Sequence, residues 1–203
     1  FVSKRFSFTR KIELLEKTVD SQGWFIRVNF SDLEVILHEF AIAKLCSMFE
    51  IGPKILNPYG FDIVCYRNCA EFCMERCLPW EVSYGDMNKS AMETRLKHCM
   101  KVMHLLGIVH RDIKPRNIMF SPSLKDLVFC DFGISHPIAE EVGFKTKTTK
   151  SGTQSFMSHE MSSASTSVPS YVDLYYNDMY CLQVSLKMIE LQRPARKTVR
   201  SPG

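Results

Sequence analysis

The chain has 203 residues, 45% of them hydrophobic and 24% charged, with 9 glycines and 9 prolines. That balance excludes a disordered, collagen-like or low-complexity protein, and the length suffices to bury a core as one sizeable domain or two small lobes. Lysine and arginine outnumber the acids by 26 to 22, a net charge of +4, too small and too dispersed to argue for nucleic acid as a partner.

No stretch approaches about 18 uninterrupted apolar residues, so no membrane span is expected. The start Phe1-Val2-Ser3-Lys4-Arg5-Phe6 lacks a secretion signal's apolar run and small-residue cleavage site. A first residue other than Met reads as processing or a fragment boundary. The expectation is an intracellular, cytoplasmic protein whose 8 cysteines are reduced thiols, since a chain with this many core-forming residues needs no disulfide staples.

From Ser31, the residues Leu33, Ile36, Leu37 and Phe40 recur at helical spacing, and Ser31 with Glu34 forms a capping box; Ile51-Gly52-Pro53 ends the helix. Residues 54–66 and 70–75, bounded by Asn57-Pro58 and Arg67-Asn68, predict strands in a hairpin. Ser90 with Glu93 forms a second capping box, opening a helix that carries Leu96, Cys99, Met100, Met103 and Leu106 and stops at Gly107. Beyond it the strands are short. Ser162 to Ser170 reads as a Ser-rich loop, Tyr175 to Leu191 as a helix, and Arg193 to Gly203 as a basic tail. The organisation is a strand-rich part over 1–77, a mainly helical part over 78–191 and a tail over 192–203, with a ligand cleft expected between the first two.

Chemistry concentrates in Ile108-Val109-His110-Arg111-Asp112-Ile113-Lys114-Pro115-Arg116-Asn117-Ile118-Met119, followed by Leu127-Val128-Phe129-Cys130-Asp131-Phe132-Gly133. Two short apolar segments flank a loop holding two acids, an amide and a lysine. Phosphoryl transfer needs that set: Asp131 and Asn117 offer hard oxygens to Mg²⁺, Asp112 accepts a hydroxyl proton, and Lys114 neutralises charge on the moving phosphoryl group.

These two runs resemble the catalytic loop and metal-binding motif of eukaryotic protein kinases. The resemblance implies an α+β, two-lobed protein-kinase-like fold, with an incomplete small β-rich N-lobe and a shortened, mainly helical C-lobe. It implies ATP and Mg²⁺ as cofactors and a protein with a Ser/Thr acceptor as substrate. Phe72-Cys73-Met74-Glu75-Arg76-Cys77 is similar to the hinge whose backbone bonds adenine, with Met74 as gatekeeper and Glu75 and Cys77 lining the nucleotide. Leu37-His38-Glu39-Phe40 resembles the regulatory helix whose Glu pairs with a nucleotide-anchoring lysine. That lysine is Lys4 by resemblance of residues 1–6 to the strand that bears it; a competing strand, Trp24 to Val28, puts Arg27 there. Gly152 to Glu160 resembles the substrate-docking loop, with Thr153 in it, and Asn177 to Leu182 the central helix, whose backbone-holding acid is Asp178, or Asp173 if the Ser-rich stretch alters the spacing.

Lys114 and the Gly152-Thr153 pair imply the serine/threonine branch. Arg111 beside Asp112 implies regulation by phosphorylation of the loop before Gly152, with Thr149 the best-placed acceptor and Thr146, Thr148 and Ser151 as neighbours. Cys65, Cys69, Cys73 and Cys77 recur every four residues, a spacing that reads as buried thiols rather than a zinc site. His98, His104, His136 and His159 read as core or surface residues.

No Gly-x-Gly-x-x-Gly run occurs. The family's phosphate lid and its last helices are expected outside this sequence, leaving an exposed apolar flank on the Asp178 helix and a place for a partner chain over the shortened lobe. The reading is a protein serine/threonine kinase; the alternatives are a nucleotide-binding pseudokinase and a non-catalytic kinase-like scaffold.

Overall fold

The computed structural model describes residues 2–7, 17–20, 23–26, 30–58, 60, 63–65, 69–85, 87–137, 152–163 and 171–192. Thr149, Arg27 and the basic tail lie outside them. Strand β1 (Val2–Ser7) is followed by a hairpin of β2 (Lys17–Asp20) and β3 (Gly23–Ile26), then helix α1 (Phe30–Met48). Strands β4 (Ile55–Leu56), β5 (Val64–Cys65) and β6 (Cys69–Met74) come next. β6 is the centre of this first sheet, pairing antiparallel with β1, β4 and β5. The expected hairpin is the β5–β6 pair. Among the described residues β3 pairs only with β2, and β1 is the strand that lies against β6, with Lys4 opposite Phe72 in the register.

In α1 the buried positions are Ile36, Glu39, Ile42, Ala43 and Cys46, one stripe at helical spacing in which a single carboxylate replaces an apolar side chain. The helix starts at Phe30, one residue ahead of the expected cap at Ser31.

Strand β7 (Leu78–Pro79) leads into a 3-10 turn over Trp80–Gly85 and helix α2 (Lys89–Leu105). The α2 cap is Asn88, whose side chain accepts from the Ala91 amide, rather than Ser90. Asparagine and serine are near-equal caps, and Glu93, expected in the box, instead pairs with Lys97 at 2.6 Å. Past Gly107, in the left-handed region at φ 71, come β8 (Ile108–Val109), a 3-10 turn at Pro115–Asn117, β9 (Ile118–Ser121), β10 (Asp126–Phe129) and β11 (His136–Pro137). β9 pairs with both β7 and β10, and β11 with β8.

Helix α3 (His159–Ser163) includes Ser162, expected as loop. Helix α4 (Tyr171–Gln192) begins four residues before the expected Tyr175, because Leu174 extends its buried stripe of Asn177, Asp178, Cys181, Leu182, Ser185 and Ile189 back by a turn. Its outer face exposes Val172, Tyr176, Met179 and Tyr180.

One core joins α1, β4, β6, α2, β9, β10, Phe132 and α4. Arg95 of α2 ties its parts together. Its Nε donates to Leu127 O at 2.9 Å, its Nη2 donates to Glu50 O at 2.6 Å beyond the end of α1, and Nε lies 3.0 Å from an Asp126 carboxylate oxygen. Hydrogen bonds from a charged donor contribute about 1.5–3 kcal/mol each. Arg95→Ala is therefore expected to lower unfolding stability by about 2–3 kcal/mol in urea denaturation, without change in helix content by circular dichroism.

Candidate active site

His110, Arg111 and Asp112 follow β8, and their backbone is held by Asp178 of α4. One Asp178 oxygen accepts the His110 amide at 2.7 Å and the other the Arg111 amide at 2.8 Å. Asp178 is fully buried, whereas Asp173 is exposed in the first turn of α4; Asp178 is the acid that carries this contact. His104, expected as a core or surface histidine, adds a third contact to Asp178 at 3.1 Å, and Tyr175 packs on its ring at 4.5 Å.

Arg111 adopts φ 70, and Asp131 φ 68. Both are non-glycine residues in the left-handed region, a local cost of about 1–2 kcal/mol each that only a surrounding network sustains. At Gly152 the opposite holds: at φ 127 it passes so close to the Arg111 carbonyl that a Cβ would collide with it, and with Met157 at 2.8 Å. Glycine is required there for the docking segment to lie against the catalytic loop.

That approach brings Thr153 to Asp112. Asp112 Oδ1 accepts the Thr153 amide at 2.9 Å and its hydroxyl at 2.7 Å, while Oδ2 accepts Lys114 Nζ at 2.6 Å and Asn117 Nδ2 at 3.1 Å. Lys114 Nζ also donates to Thr153 Oγ1 at 2.8 Å. Burial works to raise the Asp112 pKa, but the hydrogen bonds from Lys114 and Thr153 outweigh it and hold the carboxyl below the usual range. Asp112 is thus an ionised acceptor at neutral pH.

Asn117 Nδ2 further donates to the Asp112 carbonyl at 2.9 Å, which fixes its amide and turns Oδ1 away from Asp112. The Cys130 amide donates to the Asn117 carbonyl at 2.9 Å, so the catalytic loop and the Asp131 motif are one unit. Asp131 is exposed, and beside Gly133 its carboxylate converges with that of Glu39 from α1, the two lying 3.6 and 3.4 Å from where a Gly133 Cβ would stand. Phe132 is buried against Gly52 and against the His110 ring at 5.5 Å. His38, not anticipated, bonds the Ser135 carbonyl at 2.8 Å and couples α1 to the segment after Gly133. Arg111 Nη1 reaches the Ile134 carbonyl at 3.4 Å in the same segment.

An amide oxygen from Asn117 and a carboxylate from Asp131 are hard donors that suit Mg²⁺. Among the described residues no group of three or more His, Cys, Asp or Glu could hold a metal. Cys46, Cys73, Cys77, Cys99, Cys130 and Cys181 are free thiols, and burial pushes Cys46 and Cys181 up to about 12. Met74 ends β6, opposite Val2 and Ile55, and Glu75 and Cys77 follow on the connection to β7. Among the described residues no helix is long and apolar enough to cross a membrane.

Sequence comparison matches residues 69–195 to the protein kinase domain family, more than half of the chain. The chain belongs to the protein kinase family. It is 28% identical over 137 residues to the human calcium/calmodulin-dependent protein kinase type IV, covering 66% of this chain and 27% of that protein. Its identity to the type I enzyme of Schizosaccharomyces pombe is 33% over 82 residues, 39% of this chain and 24% of that one. The chain therefore spans about a quarter of the length of these curated relatives. The solved Cydia pomonella granulovirus kinase PK-1 matches with a TM-score of 0.54 and 20% identity, over 79% of this chain and 57% of that one, a likeness of fold. The architecture is a partial kinase-like α+β fold.

His110 links site and stability. Its Nδ1 accepts the Asp112 amide at 3.3 Å, so Nε2 carries the proton that goes to the Cys130 carbonyl at 3.2 Å. Complete burial lowers its pKa despite the raising influence of Asp178. The folded state binds fewer protons than the unfolded one, so this contribution to stability is present above the ordinary value of about 6.5 and is lost as pH falls toward the lowered folded value. The expected result is a melting temperature that declines as pH falls below about 6.5, with the His110 ring resonance titrating below that value.

Proposed function

We propose that the chain is the catalytic part of a protein serine/threonine kinase that transfers the ATP γ-phosphate to a protein hydroxyl. The observation that carries this is the four-donor network on Asp112. An acceptor held ionised, with a lysine and a threonine fixed on it, is suited to receiving a hydroxyl substrate beside a phosphoryl group. Because its pKa is low, Asp112 is a weak proton sink; it orients the substrate hydroxyl and accepts its proton only as the new O–P bond forms. Lys114 carries a positive charge to the γ-phosphate oxygens, and Thr153 holds the docking segment at the loop.

Asn117 and Asp131 would hold Mg²⁺, which when bound neutralises charge on the nucleotide phosphates. Glu39, buried in α1 and converging on Asp131, would pair with Lys4 of β1, and Met74, Glu75 and Cys77 are the residues along which adenine would lie. Arg111 would receive the phosphate of a modified Thr149.

Two substitutions separate these roles. Asp112→Ala is expected to reduce phosphotransfer to a generic basic peptide about 10²–10⁴-fold while nucleotide affinity, read by calorimetry with a non-hydrolysable ATP analogue, changes about twofold or less. Asp131→Asn is expected to weaken Mg²⁺-dependent nucleotide binding about tenfold or more. Equal losses of both steps in both variants would overturn the assignment, and nucleotide binding without phosphotransfer by the wild type would point to a pseudokinase.

A further inference from the structure

Glu75 stands at the one-residue boundary between β6 and the connection to β7, and its carboxylate gathers three separate segments. Its Oε1 accepts the Lys54 amide at 2.8 Å, just before β4, and the Ser121 hydroxyl at 2.7 Å, at the end of β9. Its Oε2 accepts the Ser123 amide at 3.3 Å in the turn between β9 and β10. The Glu75 amide in turn donates to the Lys54 carbonyl at 2.8 Å, so backbone and side chain grip the same residue. Ser121 is fully buried, and its oxygen also accepts the Leu124 amide at 3.2 Å.

Two of the sheets meet here: β4 and β6 belong to one, β9 and β10 to the other. A glutamate at this point is bound to both. Burial works to raise its pKa, yet the hydrogen bonds from Lys54, Ser121 and Ser123 prevail and keep it ionised. Bonds to a carboxylate are the strong, directional kind. With the Glu75 amide bonded to the Lys54 carbonyl, they fix residue 75, where the connection to β7 begins.

We infer that Glu75 is a positioning residue for the nucleotide: its side chain, clamped between Lys54 and the Ser121–Ser123 turn, fixes the peptide groups of Glu75 to Cys77 in the orientation that receives a purine base. The inference rests on the kinase reading above. The side chain itself points away to the turn and acts through the backbone it steadies.

The test is steady-state kinetics and calorimetry on the full chain with Glu75→Gln and Ser121→Ala, using Mg²⁺ and a non-hydrolysable ATP analogue for binding. Gln presents an amide nitrogen to donors, so Glu75→Gln is expected to raise the nucleotide KM and Kd about tenfold, and Ser121→Ala about threefold, with a far smaller change in kcat at saturating nucleotide. A wild type that binds nucleotide while both variants bind equally well overturns the inference and leaves the kinase reading standing. A fall in kcat with an unchanged KM also overturns it. If the wild type binds no nucleotide, the kinase reading itself falls, and the role of Glu75 with it. Should Glu75→Gln not fold, Ser121→Ala decides alone.

Discussion

The two hydrogen bonds that the His110 and Arg111 amides donate to the Asp178 carboxylate are the constraint on which the rest of the site depends. Arg111 sits in the left-handed region, which a non-glycine residue seldom adopts. A fully buried carboxylate accepting two backbone N–H groups holds that conformation, since leaving its charge unpaired inside the core would cost several kcal/mol. Once Arg111 is turned, its carbonyl faces Gly152 and Thr153 can close on Asp112. The helix that supplies Asp178 is thus a scaffold for chemistry on a loop, a division in which rigid elements aim the residues that react.

The charges follow the same logic. Asp112 and Glu75 are each drawn below their ordinary carboxylate range by donors that outweigh burial. Burial lowers the His110 pKa, and the Asp112 amide donating to Nδ1 leaves that nitrogen an acceptor. Ionised carboxylates that are already hydrogen-bonded and a neutral histidine make a site whose groups need not reorganise when a charged ligand arrives, which is what electrostatic preorganisation requires. His38, reaching from α1 to the Ser135 carbonyl, extends this rigidity to the helix that carries Glu39.

Family membership and the kinase-like fold were legible in the sequence because residues 110–117 and 131–133 are short, contiguous runs of particular types at particular spacings. Glu39 came only from the resemblance of Leu37-His38-Glu39-Phe40, and its burial is a tertiary fact. What escaped was long-range. Which of β1 and β3 lies against β6 is a tertiary fact that no local pattern contains. Asn88 displaced Ser90 as a cap because both residues cap well. Arg95, His104 and the Ser121 contact to Glu75 join residues separated by tens of positions, and a lone arginine, histidine or serine carries no periodic signal.

The most direct measurement is native-state hydrogen exchange at the His110 and Arg111 amides in the wild type and in Asp178→Asn. Removing the charge while keeping the shape is expected to raise exchange at these two amides about tenfold or more beyond the rise at the α2 core amides, matching the loss of a charge-assisted bond. Unchanged protection at His110 and Arg111, or a rise no greater than that of α2, would contradict the claim that Asp178 holds the catalytic loop.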